Sequence, residues 1–280
     1  MIVNIHHMSY LKKPEDLDDL RYSSRILMSF LNVVKDELKA GQDCGDWDDF
    51  CGDYIRYFKG VPSFLGHFKY KYNVCISINN EVVHGIAPKG KNIPNNSLVS
   101  FDCGVIFNGL FSDSAYTHIL GDVGPRATHM VQVCRDSLQA GIDVCKSGMK
   151  VRDISKAVND VVSKEGFGNV VELGGHGVGY SVWAEPFILH KPEKHQDQKT
   201  SLFVNKLICI EPMITMGSGD VLFDETPEDG WTVTTKDGSL ACHFEHELLI
   251  TKNGCEVLTD ISDFLETPPE LKERYKGKIF

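Results

Sequence analysis

Two aspartates flanking a tight turn are the first residues in this chain whose types and spacing suggest chemistry. SLVSFDCGVIF (97–107) and LFSDSAYTHIL (110–120) read as strands, and Asn108-Gly109 between them is a strong two-residue hairpin signal. Such a turn pairs Phe107 with Leu110, which sets Gly104 opposite Asp113 and Asp102 opposite Ala115, all four on one face of the ribbon. Asp102 and Asp113 become diagonal neighbours with Cα atoms about 7–8 Å apart, close enough for both carboxylates to reach one cation or two adjacent ones. Gly104 leaves that face open. Strand aspartates can also simply face water. Against this, both neighbouring strands are rich in apolar residues, and two like charges held together inside a site need a cation or a proton.

LGGHGVGY (173–180) sets His176 among glycines, which suggests close backbone approach to a site. A dinucleotide-binding turn is excluded by context: it must open a helix, and here Tyr180-Ser-Val-Trp-Ala-Glu-Pro186 follows with no helical period. Taken alone, a histidine in this setting is more often structural than a ligand. IEPM (210–213) ends an apolar strand with Glu211, and FEHE (244–247) places Glu245 within another. A glutamate in such a run is costly to bury unless paired, so each is either a strand-end charge in water or a site residue. Glu247 shares the face of Glu245 by strand parity, and parity cannot choose between them. With His84 the set is oxygen-rich and suits one or two divalent ions such as Mn, Fe, Co or Zn. Carboxylates can bridge two ions, whose shared water becomes a nucleophile for hydrolysis. No G-x-S-x-G and no Cys in a nucleophile context offers a rival chemistry.

The elements that must hold these residues follow from periodicity. Helical patterns cover residues 14–38 and 46–58, then 126–146 and 151–165; strand-like runs are VCISI (74–78), the hairpin, VVEL (170–173), LICIEPMI (207–214) and HFEHELLIT (243–251). Helix pair then strands, twice over, predicts two similar halves. No low-complexity linker separates them, which predicts one domain with a shared, helix-covered sheet.

Bulk properties narrow the function. The 280 residues carry a formal net charge of -10, which argues against nucleic-acid binding, since phosphate contacts need a Lys/Arg surplus on one face. No apolar stretch approaches the roughly 20 residues of a membrane span, and the N-terminus lacks a secretory apolar run. Nine cysteines with no C-x-x-C pair predict reduced thiols in the cytoplasm. Residues 1–12 and 262–280 are expected to be tails, leaving 13–261 as the domain.

Together these residues resemble the type I methionine aminopeptidases. Matching stretches include PEDL (14–17), GDYI (52–55), VCISINNEVVHGI (74–86), FDCGVIFNGLFSDSA (101–115), GGHGVG (174–179), EPFILH (185–190), IEPM (210–213), DGWTVTTKDGSLACHFEHELLIT (229–251) and NGCEVLT (253–259). The resemblance implies the duplicated pita-bread α+β fold, a curved and mainly antiparallel sheet covered by two helix pairs. It implies that Asp102, Asp113, His176, Glu211 and Glu245 bind two divalent ions (Co, Mn, Fe or Zn), that Glu211 moves protons, and that His84 contacts the scissile peptide. Phe64, Tyr70, Cys75 and Trp231 match positions lining the pocket for a methionine side chain. It further implies a monomer acting on the N-termini of nascent polypeptides, with a small second residue preferred, in the short bacterial form.

The pattern breaks at GYSVWAEP, where Val182-Trp183 stands in place of the usual Phe-His, so that a second catalytic histidine is missing. His67 replaces a usual Tyr, and Asn80 is an extra residue before Glu81. A paralogue that kept the fold for binding, or an imidopeptidase cleaving X-Pro bonds, are the competing readings; the latter group shares the five ligands but usually carries an additional N-terminal domain.

Overall fold

The computed structural model describes residues 9–192 and 199–280. Residues 1–8, most of the expected N-terminal tail, lie outside the described residues. Ser9 is buried, and its carbonyl accepts from the Leu207 N–H at 2.8 Å, so the chain is already docked before its first helix.

Two helix pairs lie where the apolar periodicity places them. Helix α1 (Asp16–Glu37) opens on Asp16, Asp18 and Asp19, which suit the positive end of the helix dipole, and buries Leu20, Leu27, Phe30, Leu31 and Val34. Helix α2 (Cys44–Tyr57) starts two residues ahead of the expected bound because Asp43 caps it, its side chain accepting from the Asp46 N–H at 3.1 Å. Helix α3 (Pro125–Asp143) has proline in its first turn, where a missing N–H costs nothing. In α4 (Val151–Lys164), Asp153 reaches back to the Lys150 N–H at 2.8 Å.

Each helix pair covers its own core. Ile26, Phe30, Trp47, Phe50 and Tyr54 from α1 and α2 pack with Ile76, Val99 and Phe101 of the first sheet. Met130, Leu138, Ile154 and Val158 from α3 and α4 pack with Ile208, Ile210, Leu248 and Ile250 of the second. The chain thus has the duplicated pita-bread architecture, and all its strand pairs are antiparallel.

In the first sheet Leu110–Leu120 pairs along the whole of Ser97–Phe107 in the expected register, with Gly104 facing Asp113 and Asp102 facing Ala115. Asn108 and Gly109 have φ of 48° and 81°, the doubly left-handed turn that matches strand twist. Cys75–Ile78 and then Val61–Pro62 pair along the other edge of Ser97–Phe107. The second sheet orders Cys255–Val257, His246–Ile250, Leu207–Ile210, Gly175–Gly177 and Ala184–Ile188.

Four expectations are corrected. VVEL forms no strand; the ladder ends at Gly168–Asn169, and Leu173 and Gly174 turn aside to line a cavity. The run 207–214 splits into Leu207–Ile210 and Met213–Thr215, because Pro212 has no N–H to donate to a ladder. The run 243–251 splits at Phe244-Glu245, where the Glu245 N–H turns to the Ala115 carbonyl at 2.9 Å. Residues 262–280 are not a tail. Pro269–Arg274 forms a short helix α5, and Leu271, Tyr275 and Ile279 join the first core beside Phe50. The Tyr275 hydroxyl donates to Asp53 at 2.8 Å; an apolar side chain every fourth residue outweighs the flanking prolines and charges.

Candidate metal centre

Strand 110–120 of the first sheet runs against the Phe244-Glu245 break that leads into the second sheet, and that seam makes the site. The Ala115 carbonyl takes the Glu245 N–H, while the Ser114 hydroxyl donates to the Glu245 carbonyl at 2.7 Å. Ala115 is also the partner of Asp102, so one residue holds carboxylates from both halves around Asp113.

Single oxygens of Asp102, Asp113 and Glu245 lie within 4.8 Å of one another. Asp102 Oδ1, Asp113 Oδ1 and Glu245 Oε1 are buried without a hydrogen-bond partner. Burial raises the Asp102 pKa to about 6, and burial together with the other carboxylates holds Asp113 and Glu245 well above the usual range. Glu211 is raised well above it too, by burial and then by Asp102. Orphaned acceptors packed this closely need positive charge between them, so the donor set fits divalent cations rather than a structural hydrogen-bond network.

His176 joins them from the second sheet. Its Nδ1–H donates to the Gly177 carbonyl at 3.0 Å, which leaves the Nε2 lone pair facing Glu211 Oε1 at 3.5 Å and Asp113 Oδ2 at 3.9 Å. Burial lowers its pKa to about 4, so at neutral pH it is uncharged, with a lone pair of the kind a metal ion takes, rather than half of an ion pair. The glycines serve a different purpose from the expected one. A Cβ on Gly175 would collide with the Cys209 carbonyl oxygen, and one on Gly177 with that of Glu185; they admit neighbouring strands rather than a ligand.

The cluster lies in the wall of a cavity of about 470 Å³. The carboxylates of Asp102, Asp113, Glu211 and Glu245 and the imidazole of His176 line it, together with Phe64, Tyr70, Cys75, His84, Trp183 and Trp231. His84 follows the strand Glu81–Val83 with a left-handed φ of 58°, and its ring sits 6.2 Å from that of Trp231. Burial takes its pKa down to about 4. Tyr70 closes one wall against Trp231 at 5.1 Å, its hydroxyl donating to the carbonyls of Val74 and Gly85. Val182 is buried, whereas Trp183 at the rim is 47% exposed.

The sequence reading missed several residues here. Phe187, Leu173 and Met213 add apolar wall. The buried Cys209 thiol lies within 4.8 Å of ligand atoms of His176 and Glu245, and burial beside four carboxylates holds it protonated. His243 is buried 3.4 Å from Glu211. Cys209 and His243 stand two residues before Glu211 and Glu245, but each strand ends before its glutamate, so no local pattern pointed to either. Glu247, which parity left equivalent to Glu245, lies off the cavity. It is fully buried and accepts from the Ser24 hydroxyl at 3.4 Å, while its own N–H donates to Thr259.

A cavity walled by aromatics, with a carboxylate–imidazole cluster suited to divalent metal, defines the class: a metal-dependent hydrolase. The chain belongs to metallopeptidase family M24, whose profile matches residues 18–252. It is 36% identical to a methionine aminopeptidase of Aquifex aeolicus over 90% of this chain and 98% of that one. It is 37% identical to one of Treponema pallidum over 93% and 100%. A solved methionine aminopeptidase of Thermotoga maritima superposes with a TM-score of 0.85 at 32% identity, covering 91% of this chain and 100% of that one. The prolidase of Pyrococcus furiosus shares the fold at a TM-score of 0.74 and 19% identity, over 92% of this chain and 68% of that one.

Proposed function

We propose that this chain removes the N-terminal methionine from nascent polypeptides by metal-dependent hydrolysis of the first peptide bond. The observation that carries the reading is the junction of a cavity walled by aromatic and apolar side chains with three orphaned carboxylate oxygens in its wall. Asp102, Asp113, His176, Glu211 and Glu245 would hold two divalent ions (Co, Mn, Fe or Zn). When bound, the ions supply Lewis acidity that activates water and polarises the scissile carbonyl.

The chain's own residues do the rest. Glu211, kept basic by burial among other carboxylates, accepts the proton of the attacking water and passes it to the leaving amine. His84, neutral and fixed at the cavity wall, contacts the scissile peptide. Phe64, Tyr70, Cys75 and Trp231 enclose the methionine side chain, while Trp183 borders the rim. A small second residue is preferred. The protein acts as a monomer in the cytoplasm, and no helix among the described residues is long and apolar enough to cross a membrane.

Hydrolysis of Met-Gly and X-Pro peptides, measured across added Mn, Co, Fe and Zn, tests the reading. Cleavage of Met-Gly alone is expected. Glu211→Gln, whose amide can neither carry metal charge nor shuttle a proton, is expected to lower kcat by about three orders of magnitude or more while leaving the fold intact. X-Pro cleavage in preference, or near-wild-type turnover by the Gln variant, would sink it.

A further inference from the structure

Glu211 is flanked by histidines that play different parts. Its backbone N–H donates to His190 Nε2 at 3.1 Å, so that nitrogen is an acceptor and His190 carries its proton on Nδ1. Its carboxylate lies between two further imidazoles: Oε1 is 3.5 Å from His176 Nε2, and Oε2 is 3.4 Å from His243 Nε2. His176 faces the cavity. His243 does not: it is 1% exposed, it stands behind Glu211, and it is absent from the groups of ligand atoms gathered around Asp113 and Glu245.

The backbone of His243 has little freedom. Its N–H donates to the Thr117 hydroxyl, and that hydroxyl donates to its carbonyl, each at 2.8 Å. Its strand also pairs with Met213, two residues beyond Glu211. The imidazole is therefore delivered to Glu211 by the same seam that delivers Glu245. His243 Nε2 is buried and makes no hydrogen bond, with Glu211 Oε2 facing it at 3.4 Å. A lone pair on that nitrogen would confront a carboxylate oxygen, whereas an N–H there would satisfy both groups, which selects the Nε2–H tautomer. Hydrogen bonds at such sites are often long or poorly aligned until substrate and cofactor are in place.

We propose that His243 is a positioning residue for Glu211, donating its Nε2–H to Oε2 and so leaving Oε1 turned toward His176 and the cavity. The inference rests on the role given to Glu211 above. It makes Glu211 a carboxylate anchored at both ends, with His190 on the backbone and His243 on the side chain, and restricts its rotation while a proton passes through it. Outer partners of metal-binding groups commonly set affinity and rate in this way.

The test compares His243→Leu and His243→Met, which lack the donor, with His243→Gln, whose amide nitrogen can reach the position of Nε2. Each is read by calorimetric titration of the metal-free protein with Mn²⁺, by kcat and KM on a Met-Ala peptide, and by thermal denaturation. Loss of the donor is expected to weaken Mn²⁺ binding and lower kcat by about 10–100-fold with KM little changed, and His243→Gln to recover most of both. A merely structural histidine would lower the melting temperature in all three without separating Gln from Leu and Met. That pattern overturns the proposal, as does wild-type affinity and kcat in either donor-free variant, or a Gln variant that recovers neither affinity nor kcat. If His243→Leu does not fold, His243→Met against Gln makes the same comparison. Should the wild type bind Mn²⁺ yet leave Met-Ala uncut, the aminopeptidase reading fails while the affinity comparison still judges His243.

Discussion

Trp183 is the residue at which chemistry and family pattern part. It replaces a side chain able to donate, accept and carry charge with an indole that only donates, through one N–H. The 47% exposed ring lies at the cavity rim beside the buried Val182. If the usual histidine donates to the carbonyl oxygen as charge develops, losing it removes a transition-state contact, and such a contact is typically worth about 10²–10³ in rate. Trp183→His, made together with Val182→Phe to restore the neighbouring volume, is therefore expected to raise kcat on Met-Ala and Met-Gly peptides by at least about tenfold. Steady-state kinetics with metal binding measured in parallel check it. A flat or lower kcat with normal metal binding would make Trp183 a working part of the site.

At the scale of elements, the strand Gly175–Gly177 decides how His176 meets its neighbours. It is clamped between Leu207–Ile210 and Ala184–Ile188, and a Cβ on Gly175 has no room beside the Cys209 carbonyl. Gly175→Ala must push the two strands apart, moving His176 away from Glu211. A destabilisation of about 1–3 kcal/mol is expected, with weaker Mn²⁺ binding measured by calorimetry. Gly254→Ala is the control, since a Cβ there meets nothing within 4 Å, and it should stay within about 0.5 kcal/mol of wild type. Equal melting temperatures for the two variants would show that the glycine is not needed for packing.

For the whole molecule, the buried titratable groups make stability without metal depend on pH. His84, His176 and His243 have pKa values lowered to about 4, so the folded state binds fewer protons than the unfolded one and stability rises with pH up to about 6.5. Asp113, Glu211, Glu245 and Glu247 are raised by burial, so the folded state binds more protons, and their contribution is lost as pH rises through the folded values. Below about pH 6.5 the two sets oppose each other; from there toward pH 8 the four carboxylates are opposed by the partial loss of the Lys206 proton, whose pKa burial lowers to about 8. The melting temperature of metal-free protein is expected to fall across that window. Added Mn²⁺ should reduce or reverse the fall, because the ion competes with protons for the oxygens of Asp113, Glu211 and Glu245. A metal-free melting temperature that is level or rises from pH 6.5 to 8, measured by calorimetry, would contradict this account of the cluster.

The sequence by itself determined what local rules determine. Asn108-Gly109 fixed the hairpin register, and with it the diagonal of Asp102 and Asp113, because side chains alternate strictly along a strand. Apolar periodicity placed both helix pairs, and the residue types pointed to a metal. Long-range packing decided the rest. Whether Glu245 or Glu247 reaches the site depends on a break at Phe244-Glu245 that exists only because the Glu245 N–H finds Ala115 in the other half. The last 19 residues carry turn-forming and charged types, and only the presence of Phe50 and Asp53 beneath them makes Tyr275 a core residue. His243 gains its partner Glu211 where strands remote in sequence meet, and no local pattern encodes which side chains such a seam brings together.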